Sequence, residues 1–127
     1  MDVAIRETHE EVGLVLSRDH CIGRLHDLKG RHGGTSAGMV ISCFVFGLSQ
    51  PLPVTANEEV HDVARVPITS LLDYSNRTSV IYHEREGMEF PGIQFSERDQ
   101  RIVWGLTYRF LHQFFNHLGH SIPADNL

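Results

Sequence analysis

Apolar residues change their spacing along the chain, and each change predicts an element. At about 100° per residue, Met1, Ile5, Thr8 and Val12 fall on one helical stripe, with Glu7, Glu10 and Glu11 roughly opposite. This predicts a helix over Met1–Val12, closed by Gly13, a residue that commonly ends helices in the left-handed conformation. Cys21–Leu28 and Met39–Leu48 read as strands, the second apolar on both faces and so expected at the centre of a sheet. Between them Lys29–Gly38 holds four glycines in ten residues, which predicts a mobile loop. Glu59–Val66 is expected as a third strand, with Pro67 opening a short helical turn through Leu71 and Leu72. Ser79–His83 and Met88–Phe90 are spaced to pair as a hairpin across Arg85-Glu86-Gly87. A long terminal helix is predicted over 97–118, capped by Ser96, with Val103, Leu106, Phe110, Leu111, Phe114 and Leu118 apolar and Gly119 closing it. The expectation is an α+β fold with two principal helices and four to six strands.

Composition narrows the function. With 127 residues, 41% of them apolar, the chain has room for one domain and one packed core. No apolar run approaches the roughly 18 residues that a membrane-spanning helix needs. Sixteen acidic against eleven basic side chains give a net charge of −5, which argues against binding nucleic acid by phosphate neutralisation. No secretory pattern opens the chain, and Cys21 and Cys43 are too few for a disulfide scaffold. A reducing, cytoplasmic setting is therefore expected. His112, His117 and His120 share no helical face and read as surface residues rather than zinc ligands.

Arg6-Glu7-Thr8-His9-Glu10-Glu11-Val12-Gly13-Leu14 carries the candidate chemistry. Glu7 lies three and four residues before Glu10 and Glu11, so like charges crowd one face and repel. They also occupy the last turns, where the helix dipole favours cations. Mg²⁺ or Mn²⁺, which takes carboxylate oxygens and substrate phosphates, would relieve both conflicts. A plain solvated acidic face satisfies the same spacing, and spacing alone leaves the two open.

The segment resembles the second half of the Nudix box: Arg6, Glu7, Glu10, Glu11, Gly13 and Leu14 match, while Thr8 replaces the more usual aliphatic. Asn57-Glu58-Glu59-Val60, Val66-Pro67-Ile68 and Leu71-Leu72 resemble the segment that follows the box, with Arg65 where that family often has Trp. Val103-Trp104-Gly105-Leu106-Thr107 is similar to the signature of the coenzyme A diphosphatase branch. The first half of the box would lie before Met1, so an N-terminally truncated domain over residues 1–127 is expected, its metal-binding helix at 1–12.

The resemblance implies a Nudix-type α/β/α sandwich with a mixed sheet and missing N-terminal strands. It also implies metal-dependent hydrolysis of a nucleoside-diphosphate-linked substrate, coenzyme A or its acyl derivatives above all. Carried over, Glu7, Glu10 and Glu11 are the Mg²⁺ or Mn²⁺ ligands. Glu10 and Glu11 are catalytic with Glu59, the candidate general base alongside Glu58. Arg24 and Arg31 are the candidate substrate-binding residues, with plain solubility as their alternative role. Trp104 reads as a core anchor for the terminal helix rather than a stacking platform. The implied partner is a nucleotide-type small molecule, with no nucleic acid and no membrane; a homodimer is left open. Two other readings stand beside this one. The chain acts on another nucleoside diphosphate conjugate, or it is a non-catalytic Nudix-like binding protein.

Overall fold

The computed structural model describes residues 1–32 and 35–124, except for the side chains of residues 31–37 and Arg85. In chain order the elements are α1 (Asp2–Val12), β1 (Cys21–Arg24), β2 (Leu28–His32), β3 (Thr35–Ile41), β4 (Phe44–Phe46), α2 (Ile68–Leu72), β5 (Arg77–Tyr82), β6 (Met88–Gln94), β7 (Ile102–Trp104) and α3 (Gly105–His117). The class is α+β. The strands form separate sheets, β1 with β4, β2 with β3, and β5-β6-β7, and the ladders of the first and last are antiparallel.

Two compact units divide the chain: residues 1–27 with 40–65, and residues 28–39 with 66–127. In the first, α1 forms as its stripe predicts. Gly13 closes it at φ 69°, its N–H donating to the His9 carbonyl at 2.9 Å. The helix buries no residue. Leu16 and Leu25 are the buried apolar side chains of this unit.

The second unit holds the main core. β5 and β6 pair from Arg77↔Ile93 to Tyr82↔Met88. The predicted hairpin forms, turning through His83–Arg85, with Glu86 and Gly87 both left-handed (φ 53° and 71°). Ile93 on β6 and Tyr108 and Phe115 on α3 are fully buried, packed with Leu71 and Ile122. Tyr108 satisfies its hydroxyl by donating to the Pro123 carbonyl at 2.8 Å.

Several expectations are corrected. Cys21–Leu28 is not one strand: β1 ends at Arg24, where Asp27 folds back onto the Arg24 guanidinium at 2.8 Å. Met39–Leu48 is not a central strand either. It is split between β3 and β4, β4 pairs only in the two-stranded sheet with β1, and Met39 and Val40 are 44% and 58% exposed. The Gly-rich segment carries β2 and β3, because mutual pairing overrides the weak strand propensity of glycine; Gly33 and Gly34 lie outside the described residues.

Glu59–Val66 forms no strand. Asn57 and Asp62 accept the N–H groups of Glu59 and Val63 with their own side chains, at 2.9 and 2.8 Å, and so favour turns over a ladder. The terminal helix starts at Gly105, not at residue 97. Ile102–Trp104 pairs with Gly92–Gln94 as β7, and Ser96 lies before a turn rather than capping a helix. Its end is as expected, with Gly119 at φ 80° and the His120 N–H donating to the Phe115 carbonyl at 2.8 Å.

Candidate functional site

Glu7, Glu10 and Glu11 sit on α1 as the spacing predicts, and Arg6 organises two of them. Its guanidinium lies 2.8 Å from Glu7 and donates to both Glu10 oxygens at 3.1 and 3.3 Å. The Glu10 hydrogen bond, then the charges of Glu10 and Glu7, raise the Arg6 pKa above its ordinary value. The pairs are solvent-exposed and contribute little to stability. As placed, the carboxylates do not converge: among the described residues no three His, Cys, Asp or Glu side chains are grouped to hold a metal ion. The donor set is nonetheless of the right type, hard carboxylate oxygens within reach of water. Glu7 and Glu10 would have to turn from Arg6 to share one ion.

The backbone of this site is better defined than its side chains. The carbonyls of Glu10, Glu11 and Val12 accept donors from Asn57 Nδ2 (3.0 Å), Asn57 N (2.8 Å) and Thr55 N (2.7 Å). These bonds satisfy the helix-end carbonyls that otherwise lack partners. A Cβ at Gly13 would stand 3.7 Å from the Thr55 backbone, so glycine serves both the turn and the approach. Glu59 follows in an exposed turn, its N–H held by Asn57 Oδ1. Asn57 drew attention in the sequence only as part of a resemblance. The readable signal was an Asn two residues before a turn position, the spacing of an Asx-turn.

Arg24 is occupied. It donates to both Asp27 oxygens at 2.8 Å and to Ser42 Oγ at 3.2 Å, with its guanidinium 5.5 Å from the Phe44 ring centroid. The Arg24 bond, and then the Ser42 hydroxyl at 2.8 Å, hold the Asp27 carboxyl below the usual carboxylate range. Arg31 lies in β2, its side chain outside the described residues. Arg65 donates to the Leu52 carbonyl, so it is tied to its own unit. Trp104 is half-buried, with Tyr82 and Phe90 ring centroids at 5.6 and 6.1 Å, the environment of a packed anchor. His117 and His120 are exposed and His112 half-buried. Cys21 and Cys43 are both free thiols, and burial pushes the Cys43 thiol up.

A cavity of about 290 Å³ opens in the second unit, lined by Arg77, Ser79, Glu89, Pro91, Tyr108 and Pro123 among others. Sequence reasoning missed it. Arg77 Nε and Nη1 are buried without a hydrogen-bond partner, and its Nη2 is 3.5 Å from the Leu72 carbonyl.

Among known proteins the chain is similar to Nudix hydrolases, and the likeness supports the Nudix superfamily for the region it covers. The relatives are NudL, an uncharacterized Nudix hydrolase, of Yersinia pestis (strain Pestoides F) and of Yersinia pseudotuberculosis serotype O:1b (strain IP 31758). Each is 30% identical over 108 residues, 84% of this chain. The chain spans about half the length of these curated relatives, 51%. No protein-family model matches the chain, and no solved structure matches it. No helix among the described residues is long and apolar enough to cross a membrane.

Proposed function

We propose that the chain is a metal-dependent hydrolase that splits the pyrophosphate linkage of a nucleotide-type substrate, with coenzyme A or an acyl derivative as the favoured one. The observation that carries this reading is the glutamate array of α1, Arg-Glu-x-x-Glu-Glu-x-Gly, on a helix closed by a left-handed glycine. The likeness to NudL supports it in general terms, and Trp104-Gly105-Leu106-Thr107 points to the coenzyme A branch. Glu7, Glu10 and Glu11 would hold Mg²⁺ or Mn²⁺, which neutralises charge on phosphate oxygens. The chain's own groups bind and orient: Glu59 is the proposed base toward water, and Arg31 is left as the phosphate-binding candidate while Arg24 is paired with Asp27. The reading sets the reaction in a reducing, cytoplasmic compartment, in keeping with two free cysteines.

One observation favours a second reading, a Nudix-like chain that binds nucleotides without turning them over. Arg6 holds Glu7 and Glu10 apart from a common ion. The test is hydrolysis of coenzyme A and of other nucleoside diphosphate conjugates with Mg²⁺ or Mn²⁺, with Glu11→Gln beside the wild type. Metal-dependent turnover abolished in the variant supports the enzyme. Nucleotide binding with no turnover across the panel sinks it in favour of the second reading.

A further inference from the structure

The last turn of α1 holds an electrostatic conflict. Helix C-termini gather partial negative charge on carbonyls without intrahelical partners, and Glu10 and Glu11 add full charges in the same turn. The basic residue there is His9, and Arg6 reaches Glu10 from one turn earlier. What meets the carbonyls is instead a set of N–H donors from residues 55–57. Asn57 supplies two of them, its carboxamide Nδ2 to Glu10 at 3.0 Å and its backbone N to Glu11 at 2.8 Å. The other end of the same carboxamide, Oδ1, accepts the Glu59 N–H at 2.9 Å, and the Asn57 carbonyl accepts the Val60 N–H at 3.3 Å. One short side chain therefore uses its donor on the carboxylate helix and its acceptor on the Glu58–Glu59 turn. Asp has no such donor, Ser is too short for both bonds, and Gln adds a methylene that spoils the tight turn.

The geometry points to Asn57 as a positioning residue for the carboxylate site. Its carboxamide locks the turn bearing Glu58 and Glu59 to the end of α1 that bears Glu10 and Glu11, and its donors offset the negative helix end where cation ligands are needed. In this role Asn57 acts through these glutamates, with both ends of its carboxamide spent on their backbone. The role rests on the hydrolase reading above; the hydrogen bonds themselves do not.

Two variants of the full chain separate the halves of the clasp. Asn57→Asp keeps the acceptor for Glu59 but sets a charged oxygen against the Glu10 carbonyl, whereas Asn57→Ala removes both bonds. Mn²⁺ binding, read by loss of the free-ion paramagnetic resonance signal, is expected to weaken about five- to tenfold in Asn57→Ala, the scale of one lost hydrogen bond; in Asn57→Asp the added carboxylate itself attracts the cation, so kcat is the readout there. With coenzyme A as substrate, kcat falls while KM holds. Amide exchange at Thr55 quickens in both variants, and at Glu59 in Asn57→Ala alone. A residue needed only to shape the turn is rescued by Asp, so wild-type kcat in Asn57→Asp, or wild-type Mn²⁺ affinity in Asn57→Ala, overturns the proposal and leaves the hydrolase reading intact. A wild-type chain that neither binds Mn²⁺ nor turns over substrate overturns the hydrolase reading and the positioning role with it.

Discussion

Adding one methyl group at Gly92 tests the packing of the second unit. Gly92 is buried in the middle strand of its sheet, paired with Thr78 on β5 and Trp104 on β7. A Cβ there would lie 2.7 Å from Ile102 Cγ2 and 3.3 Å from the Val103 carbonyl oxygen. Carbon atoms settle at about 3.5–4.0 Å, so the first contact is roughly 1 Å too short. Ile102 is β-branched and has few rotamers in which to retreat, and the second contact is backbone. Relief therefore requires β7 to shift away from β6. Overpacking of this kind costs about 1–3 kcal/mol; a value near 2 kcal/mol lowers Tm by about 8 °C in a chain of this size. Urea unfolding followed by the fluorescence of Trp104, the sole tryptophan, reads the strand pair directly. Gly23→Ala is the control, since a Cβ there meets nothing within 4 Å; it is expected to be neutral or to stabilise by about 0.4–1 kcal/mol through the unfolded chain. Gly92→Ala within about 0.5 kcal/mol of wild type, or a larger loss from Gly23→Ala, would refute the reasoning.

Other consequences are as direct. Asp27, its carboxyl depressed by Arg24 and then Ser42, contributes stability that is present above its ordinary value of 3.8 and lost as pH falls toward the depressed folded value. The thermal stability of the wild type should thus fall more steeply below about pH 4 than that of Asp27→Asn, and parallel acid limbs would contradict this. Arg77→Met removes two buried donors that have no partner and is expected to leave the unfolding free energy unchanged or to raise it by up to about 1 kcal/mol in urea unfolding; a marked loss of stability would show that the guanidinium is satisfied in solution. Tyr108→Phe strips the Pro123 carbonyl of its donor and should cost about 1 kcal/mol in urea unfolding.

What the sequence disclosed followed local physics. α1, its left-handed Gly13, the β5–β6 hairpin and the Gly119 stop are written in periodicity and in residues with special backbone freedom, and all of them formed. The failures share one cause, competition between local signals and distant partners. Ser96 and Asp99 resemble a helix start, yet Ile102–Trp104 is taken into the sheet by Gly92–Gln94. Glu59–Val66 has the look of a strand, but Asn57 and Asp62 capture backbone N–H groups locally. Within the site, the glutamates were legible because charge crowding on a helix is a sequence property. The pairing of Arg24 with Asp27 was less so, because Ser42, its third member, comes from a separate stretch of chain. The clasp at Asn57 joins residues 47 apart and left no periodic trace.

The helix that carries the glutamates buries none of its residues. Mechanically it is a beam resting on its two supports. At one end Asp2 is pinned by the Arg18 guanidinium, whose Nε lies 2.9 Å from Oδ1; at the other the carbonyls of Glu10, Glu11 and Val12 are pinned by residues 55–57. An isolated helix of 11 residues is too short to persist in water, and between the pins only the half-buried stripe of Ile5, Thr8 and Val12 helps to seat it. The backbone bonds from residues 55–57 are the firmer hold, because the Asp2–Arg18 pair is two-thirds exposed on both sides and adds little. The acidic array is thus held from the end that bears Glu10 and Glu11, where Thr55 and Asn57 grip the carbonyls of the last turn, and the opposite end is the freer one.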